Sequence, residues 1–150
     1  MRINGSFLPI TSLFQYSQSS RNKSELQLSR PHSTALRKPS ADELRLLTHL
    51  VSKSSSLQLM ENWTDTLLVN EMDDGGMGSL KLAPSGTLFQ NARFGRMAGD
   101  CMFKDSDGID VIASLYVDKN NQLFELDLWK VDFTKLIYIP ELFLEVNALP

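Results

Sequence analysis

One stretch of the chain has the apolar spacing of a helix. Leu44 and Leu47 fall on one side of a helix that would begin just after Ser40. Ser40 precedes Glu43 by three positions, the spacing of a capping box, in which each side chain hydrogen-bonds to the backbone N–H of the other residue. We therefore predict an amphipathic helix from about residue 41 to residue 53.

After this helix the spacing changes to the alternation of β-strands, with polar turns between apolar runs. The loop at residues 73–76 reads Asp-Asp-Gly-Gly, which is a hairpin signal because glycine takes a positive φ at no steric cost. The expected fold class is α+β, with one N-terminal amphipathic helix packed on an antiparallel β-meander of about five strands. The predicted strands span residues 67–72, 77–82, 93–103, 109–117 and 122–130.

Two of the predicted turns agree on which face of the sheet is apolar. One pairing sets Phe103 opposite Ile109, and the other sets Val117 opposite Gln122. Both pairings place Ala113 on an apolar face, and a slip of one residue would invert this assignment. We expect that face to pack against the helix.

The opposite face of the predicted sheet mixes carboxylates and aromatic side chains around the small residues Ala98 and Ser114. This composition is typical of protein interfaces. The alternative is a half-exposed sheet face that binds nothing. The partner-binding residues predicted on this face are Arg96, Asp100, Tyr116, Glu125, Asp127 and Trp129.

Charge divides the chain into two unlike parts. Residues 1–38 carry six Lys/Arg and one acidic residue, lack a sustained apolar period, and are predicted to be a disordered basic tail, a transit peptide or a misassigned start. Residues 39–150, the predicted single α+β domain, carry nine Lys/Arg and seventeen Asp/Glu. This acidic body disfavours nucleic acid as its ligand and fits a basic protein partner, although such charge also simply opposes aggregation.

Catalytic and metal-binding signals are weak. Cys101 is the only cysteine, which excludes an internal disulfide, and it is predicted to point into the core. Residues 105–110 resemble part of a calcium loop, but the first and last ligand positions fall on Phe103 and Ser114, which are not carboxylates. We expect no metal site, no cofactor and no membrane span. The carboxylates that remain as candidates for acid and base roles are Asp100, Asp110, Glu125 and Asp127.

Four sequence pieces resemble an uncharacterised bacterial family of small domains. They are DGGMGSL at residues 74–80, DG at 107–108, SLYVD at 114–118 and LFELDLWKVDF at 123–133. The resemblance covers about residues 37–137. It implies a small, cytoplasmic, bacterial protein, and it implies no particular activity.

These patterns favour a binding protein over an enzyme. The leading hypothesis is a small acidic protein-binding domain of the immunity or antitoxin type, which neutralises a basic toxin. The alternatives are a small carboxylate-dependent hydrolase that uses the same face, with a concave pocket around Ala98 and Ser114, and an accessory domain without catalytic activity. The oligomeric state stays open, because exposed sheet edges also support homodimers.

Overall fold

The computed structural model describes residues 35–88 and 90–146, so the predicted tail lies almost wholly outside the described residues. Two helices, five strands and one short 3₁₀ turn occupy this part of the chain. In chain order they are α1 (Ala41–Ser52), α2 (Trp63–Thr66), β1 (Leu68–Glu71), β2 (Leu80–Ala83), the 3₁₀ turn (Pro84–Gly86), β3 (Phe94–Lys104), β4 (Asp110–Asp118) and β5 (Leu123–Lys130).

The five strands form one antiparallel sheet, which confirms the α+β class. The prediction of a single meander is wrong, because the strand order is β1-β2-β5-β4-β3. After β2 the chain crosses to the far edge before β3 begins. Strands β3 to β5 then return as a three-stranded meander, which brings β5 beside β2.

Helix α1 begins with the predicted capping box. Ser40 Oγ accepts from the Glu43 N–H at 3.1 Å, and Glu43 Oε2 accepts from the Ser40 N–H at 2.7 Å. The helix starts at Ala41, well inside the chain and not at its N-terminus. It packs closely on the sheet at Gly99, where a Cβ atom would lie 3.1 Å from the Leu50 carbonyl oxygen. The helix residues buried in the core are Leu46, Leu47 and Leu50.

The strand register differs from the predicted one by two residues. Phe103 pairs with Val111, where Ile109 was expected, and Leu115 pairs with Leu126. The turn between β3 and β4 closes instead through the Asp105 N–H, which donates to the Ile109 carbonyl. Because side chains alternate with a period of two, this shift keeps the apolar face on the same side.

Three β-bulges interrupt that alternation near one end of the sheet, the first at Gly95, between the Phe94–Asp118 and Arg96–Val117 pairs. In β3, the Met97–Tyr116 pair is followed by the Gly99–Leu115 pair, so Ala98 is the extra residue. In β5, Tyr116 pairs with Glu125 but Val117 pairs with Leu123, so Phe124 is the extra residue. A bulge moves the residues beyond it to the opposite face. Leu123, expected on the polar face, is accordingly buried in the core.

A buried ion pair connects the sheet to the segment that follows it. Lys130 lies on the core side of β5 and is fully buried. Its ammonium group donates to Asp105 at 2.8 Å, to Asp107 at 2.6 Å and to the Lys135 carbonyl at 3.0 Å. Desolvation alone would raise the pKa of Asp105, but the hydrogen bond from Lys130 and three backbone N–H groups outweigh it and lower that pKa.

An isolated antiparallel β-bridge adds one residue pair to the outer side of each edge strand. Arg37 exchanges backbone hydrogen bonds with Val69 of β1, and Leu144 does so with Met102 of β3. Within the described residues, no helix has the length and apolar character needed to cross a bilayer.

Candidate partner-binding face

The sheet surface opposite α1 carries a row of polar side chains across three strands. Asp100 of β3, Ser114 of β4 and Asp127 of β5 are paired neighbours. We call this surface the outer face, and define it by that row and by the pairs on either side of it. Those flanking residues are Met97, Tyr116 and Glu125 at one end, and Met102, Ile112 and Trp129 at the other.

Five of the six predicted binding residues therefore share one face. Asp100, Tyr116, Glu125, Asp127 and Trp129 all belong to it. The register shift changed their partners, but each stayed on the expected side because the shift is even.

Arg96 is the exception, and its placement on this face was wrong. The bulge at Ala98 turns Arg96 away and brings Met97 to the outer face. The Arg96 guanidinium instead donates to Ser56, in the segment after α1, and to Asn121 in the β4–β5 turn.

Exposed aromatic pairs stand at both ends of the outer face. Trp129 is 42% exposed and contacts Phe133, with ring centroids 6.3 Å apart. Phe94 is 56% exposed and contacts Tyr116, with centroids 5.3 Å apart. The sequence reasoning did not include Phe94 or Phe133. Phe94 lies in the third predicted strand and Phe133 three residues after the fifth, so the available signal was two aromatic residues at or near strand ends.

The carboxylates of the outer face differ in whether they have a cation. Lys81 Nζ lies 2.6 Å from Glu125 Oε2, and Lys104 Nζ lies 2.7 Å from Asp110 Oδ1. By contrast, Asp100 and Asp127 form no ion pair with any residue in the part of the chain that the structure describes. The centre of the outer face therefore carries two carboxylates without an ion pair, while the nearby Lys53 ammonium donates to the Asp100 backbone carbonyl.

Asp127 is held in a surrounding that disfavours its charge. Burial raises the pKa of Asp127, and the nearby charges of Glu125 and Asp74 raise it further, against the opposing hydrogen bond from Ser79. The Ser79 hydroxyl lies 3.3 Å from Asp127 Oδ1. Because its pKa is raised, ionised Asp127 lowers the free energy of unfolding at neutral pH. A cation brought close to the carboxylate would stabilise its ionised form.

The backbone N–H groups of the glycine-rich loop before β2 donate to a side chain of the same loop, Asp74. Asp74 Oδ1 accepts from the Gly76 and Met77 N–H groups, and Asp74 Oδ2 accepts from the Ser79 N–H at 2.7 Å. Desolvation would raise the pKa of Asp74, but these hydrogen bonds outweigh it and lower that pKa. The predicted hairpin is confirmed by the β1–β2 pairing, and the loop amides that could cradle a phosphate are occupied by Asp74.

The other residues considered for catalysis or metal binding are buried or engaged in structural ion pairs. Burial raises the pKa of the Cys101 thiol to about 12, although Lys53 acts in the opposite direction. In the calcium-like turn, Asp105 and Asp107 are both engaged by Lys130. Across residues 35–88 and 90–146, no three His, Cys, Asp or Glu side chains converge in a metal-ligand arrangement.

These features define an α+β domain with a half-buried sheet face, acidic at its centre and aromatic at its ends, on which Ser114 and Met102 are buried. The chain belongs to the family described as a domain of unknown function, DUF6984, whose model matches residues 36–140. This match confirms the expected resemblance to an uncharacterised family of small domains. Comparison with curated proteins and with solved structures gives no significant match.

Proposed function

We propose that this protein is a protein-binding domain whose outer face docks a basic protein. The observation that carries the proposal is the pair of carboxylates, Asp100 and Asp127, that lack a cation between two exposed aromatic pairs. A partner that supplies Lys or Arg side chains to this centre would complete the charges that the fold leaves unpaired.

The aromatic ends would supply binding energy in this scheme. Trp129 and Tyr116 present large apolar area with little conformational freedom to lose, and such residues dominate the affinity of protein interfaces. The carboxylates would speed and orient the encounter, because opposite charges steer association. Affinity would come mainly from the aromatics and specificity mainly from the charges.

The most specific form of this proposal is an immunity or antitoxin protein that acts in the cytoplasm. The acidic body would cover a basic surface on the toxin, such as the cationic active site of a nuclease, which binds phosphates. The small size of the domain and the acidic centre of the outer face support this form of the proposal.

One observation favours the hydrolase alternative. The raised pKa of Asp127 is what a general acid needs, and its neighbour Glu125 would have to act as the base. However, Lys81 holds Glu125, and a substrate pocket was expected around Ala98 and Ser114. Neither residue lines the cavity beside Trp63 or the shallower one beside Gly95. We therefore prefer the binding proposal.

Capture of partners from a lysate of the host organism tests the proposal with one substitution. We expect the tagged protein to retain a basic protein at low salt and to lose it at high salt. Trp129→Ala should weaken that capture by roughly 30-fold, the loss typical of an aromatic anchor residue.

Met60→Ala is the matched control, because Met60 is also an exposed apolar side chain but lies outside the sheet. It should capture the same protein as the wild type. Equal capture by the wild type and Trp129→Ala would reject the outer face as the docking surface.

A further inference from the structure

A cavity opens at the end of the sheet away from the Lys130 ion pair. Its volume is about 570 Å³, within the range of about 300–1,000 Å³ that is typical of small-molecule sites. Four parts of the chain enclose it: the segment around Trp63, the 3₁₀ turn after β2, residues 91–92 before β3, and the turn between β4 and β5. This cavity lies outside the outer face, and none of the outer-face residues lines it.

Carboxamide side chains dominate the polar part of the lining. Five of them surround the cavity, and only that of Asn121 is engaged, by the Arg96 guanidinium and by the Ser56 carbonyl. The other four side chains make no hydrogen bond within residues 35–88 and 90–146. These four are Gln58, Asn91, Asn120 and Gln122.

The charge of the lining limits what the cavity can bind. Of the described residues that line it, none is Lys, Arg or His, and one, Asp118, is acidic. A phosphate or carboxylate ligand would meet a carboxylate and no lining cation, and the Arg96 guanidinium that contacts Asn121 already donates to Asn121 and Ser56. An anionic ligand is therefore disfavoured. Asp118 is almost fully buried, and its Oδ1 already accepts from the Asn120 and Gln122 N–H groups.

Backbone strain is concentrated at the same place. Among the described residues, three that are not glycine have a positive φ, and two of these, Ser85 at 57° and Asn121 at 63°, line the cavity. Asparagine tolerates this conformation, but serine adopts it at a cost. Strained backbone of this kind is found preferentially at ligand sites.

We propose that this cavity binds a neutral saccharide. Each carboxamide both donates and accepts hydrogen bonds, which matches hydroxyl groups distributed around a sugar ring. Trp63 lines the cavity while also packing against the core, and a flat apolar indole suits the C–H face of that ring. The lining also contains apolar side chains, among them Leu59 and Leu67. These suit the apolar C–H groups of a sugar, as the carboxamides suit its hydroxyl groups. This site is independent of the proposed docking face.

Titration of the ¹⁵N-labelled protein with glucose, galactose, N-acetylglucosamine and cellobiose tests the proposal directly. The chain has two tryptophans, so two indole N–H signals separate the sites. We expect one of these sugars to shift the Trp63 indole and the lining carboxamide signals while the Trp129 indole stays unchanged. Glucose 6-phosphate and glucuronate, which carry a negative charge, should bind at least tenfold more weakly, by the charge argument above.

The variant Asn120→Ala/Gln122→Ala removes two of the uncommitted carboxamides but keeps the backbone N–H groups that Asp118 binds. It should weaken sugar binding by roughly tenfold or more. Asn62→Ala is the control, because Asn62 is an exposed carboxamide without a side-chain cap bond and outside the lining. Failure of every sugar in the panel to shift Trp63, tighter binding of uridine or adenosine than of any sugar, or equal binding by the double variant would each overturn the proposal.

Discussion

Replacing Asp105 with alanine is expected to lower the free energy of unfolding by about 3–5 kcal/mol, out of a total that is typically about 5–15 kcal/mol. Asp105 is 3% exposed and accepts hydrogen bonds from Lys130 and from the Ile137 and Tyr138 N–H groups. Its loss leaves the fully buried Lys130 ammonium with half of its negative partners and frees three backbone donors, because Ser106 N–H also donates to Asp105. Thermal unfolding should therefore occur roughly 10 °C lower.

Asp107→Ala is the matched control for this prediction. Asp107 lies closer to Lys130, at 2.6 Å, but its side chain is about a third exposed. Water can replace a partly exposed carboxylate, so this substitution should cost less than half as much. An equal loss of stability in the two variants would contradict the assignment of Asp105 as the residue that holds the pair in place.

The same substitution should change how stability depends on pH. The pKa of folded Asp105 is lowered, so its contribution is complete above the unfolded pKa of about 3.9 and disappears as the pH falls through the folded pKa. The difference in stability between the wild type and Asp105→Ala should stay constant from neutral pH to about pH 5 and should shrink below about pH 4. Chemical denaturation at several pH values measures this difference.

Charge reversal of two outer-face carboxylates is expected to have the largest effect on partner binding. Glu125→Lys/Asp127→Lys would place two cations where the proposal requires a basic partner to dock. Such like-charge contacts cost several kcal/mol, so affinity should fall by about 100-fold or more. The association rate should also fall, and its dependence on salt should weaken.

The control for this prediction reverses two carboxylates outside the sheet. Glu61→Lys/Glu141→Lys changes the net charge by the same amount but alters exposed residues away from the outer face. Because new lysines beside Lys81 also strain the fold, the isosteric variant Glu125→Gln/Asp127→Asn gives a second test. Equal affinity of both outer-face variants and the control would remove the charge basis of the proposal.

The sequence was sufficient to predict the helix and the approximate strands, because capping, helical spacing and turn residues are local signals. The Ser40–Glu43 capping box and the glycine-rich turn before β2 formed as expected. The strand order was missed because it depends on pairing between β2 and β5, two strands far apart in the chain. Alternation alone gives no information about which distant strands become neighbours.

The residues of the outer face could be predicted only where side chains alternate strictly between the two faces of the sheet. The bulges at Ala98 and Phe124 break it, so Arg96 and Leu123 were assigned to the wrong face. Lys130 escaped notice because a lysine in a strand is ordinarily exposed, and its acidic partners lie in a turn more than twenty residues earlier. The cavity beside Trp63 combines segments from across the chain, and no local pattern marks it.

Mapping the captured partner onto the two tryptophans tests the central claim most directly. In the complex of the ¹⁵N-labelled protein with its unlabelled partner, cross-saturation should reach the Trp129 indole N–H and the neighbouring outer-face amides. The Trp63 indole, in the distant cavity, should be unaffected. Saturation of Trp63 without Trp129, or of neither, would contradict the account that the outer face is the docking surface of this protein.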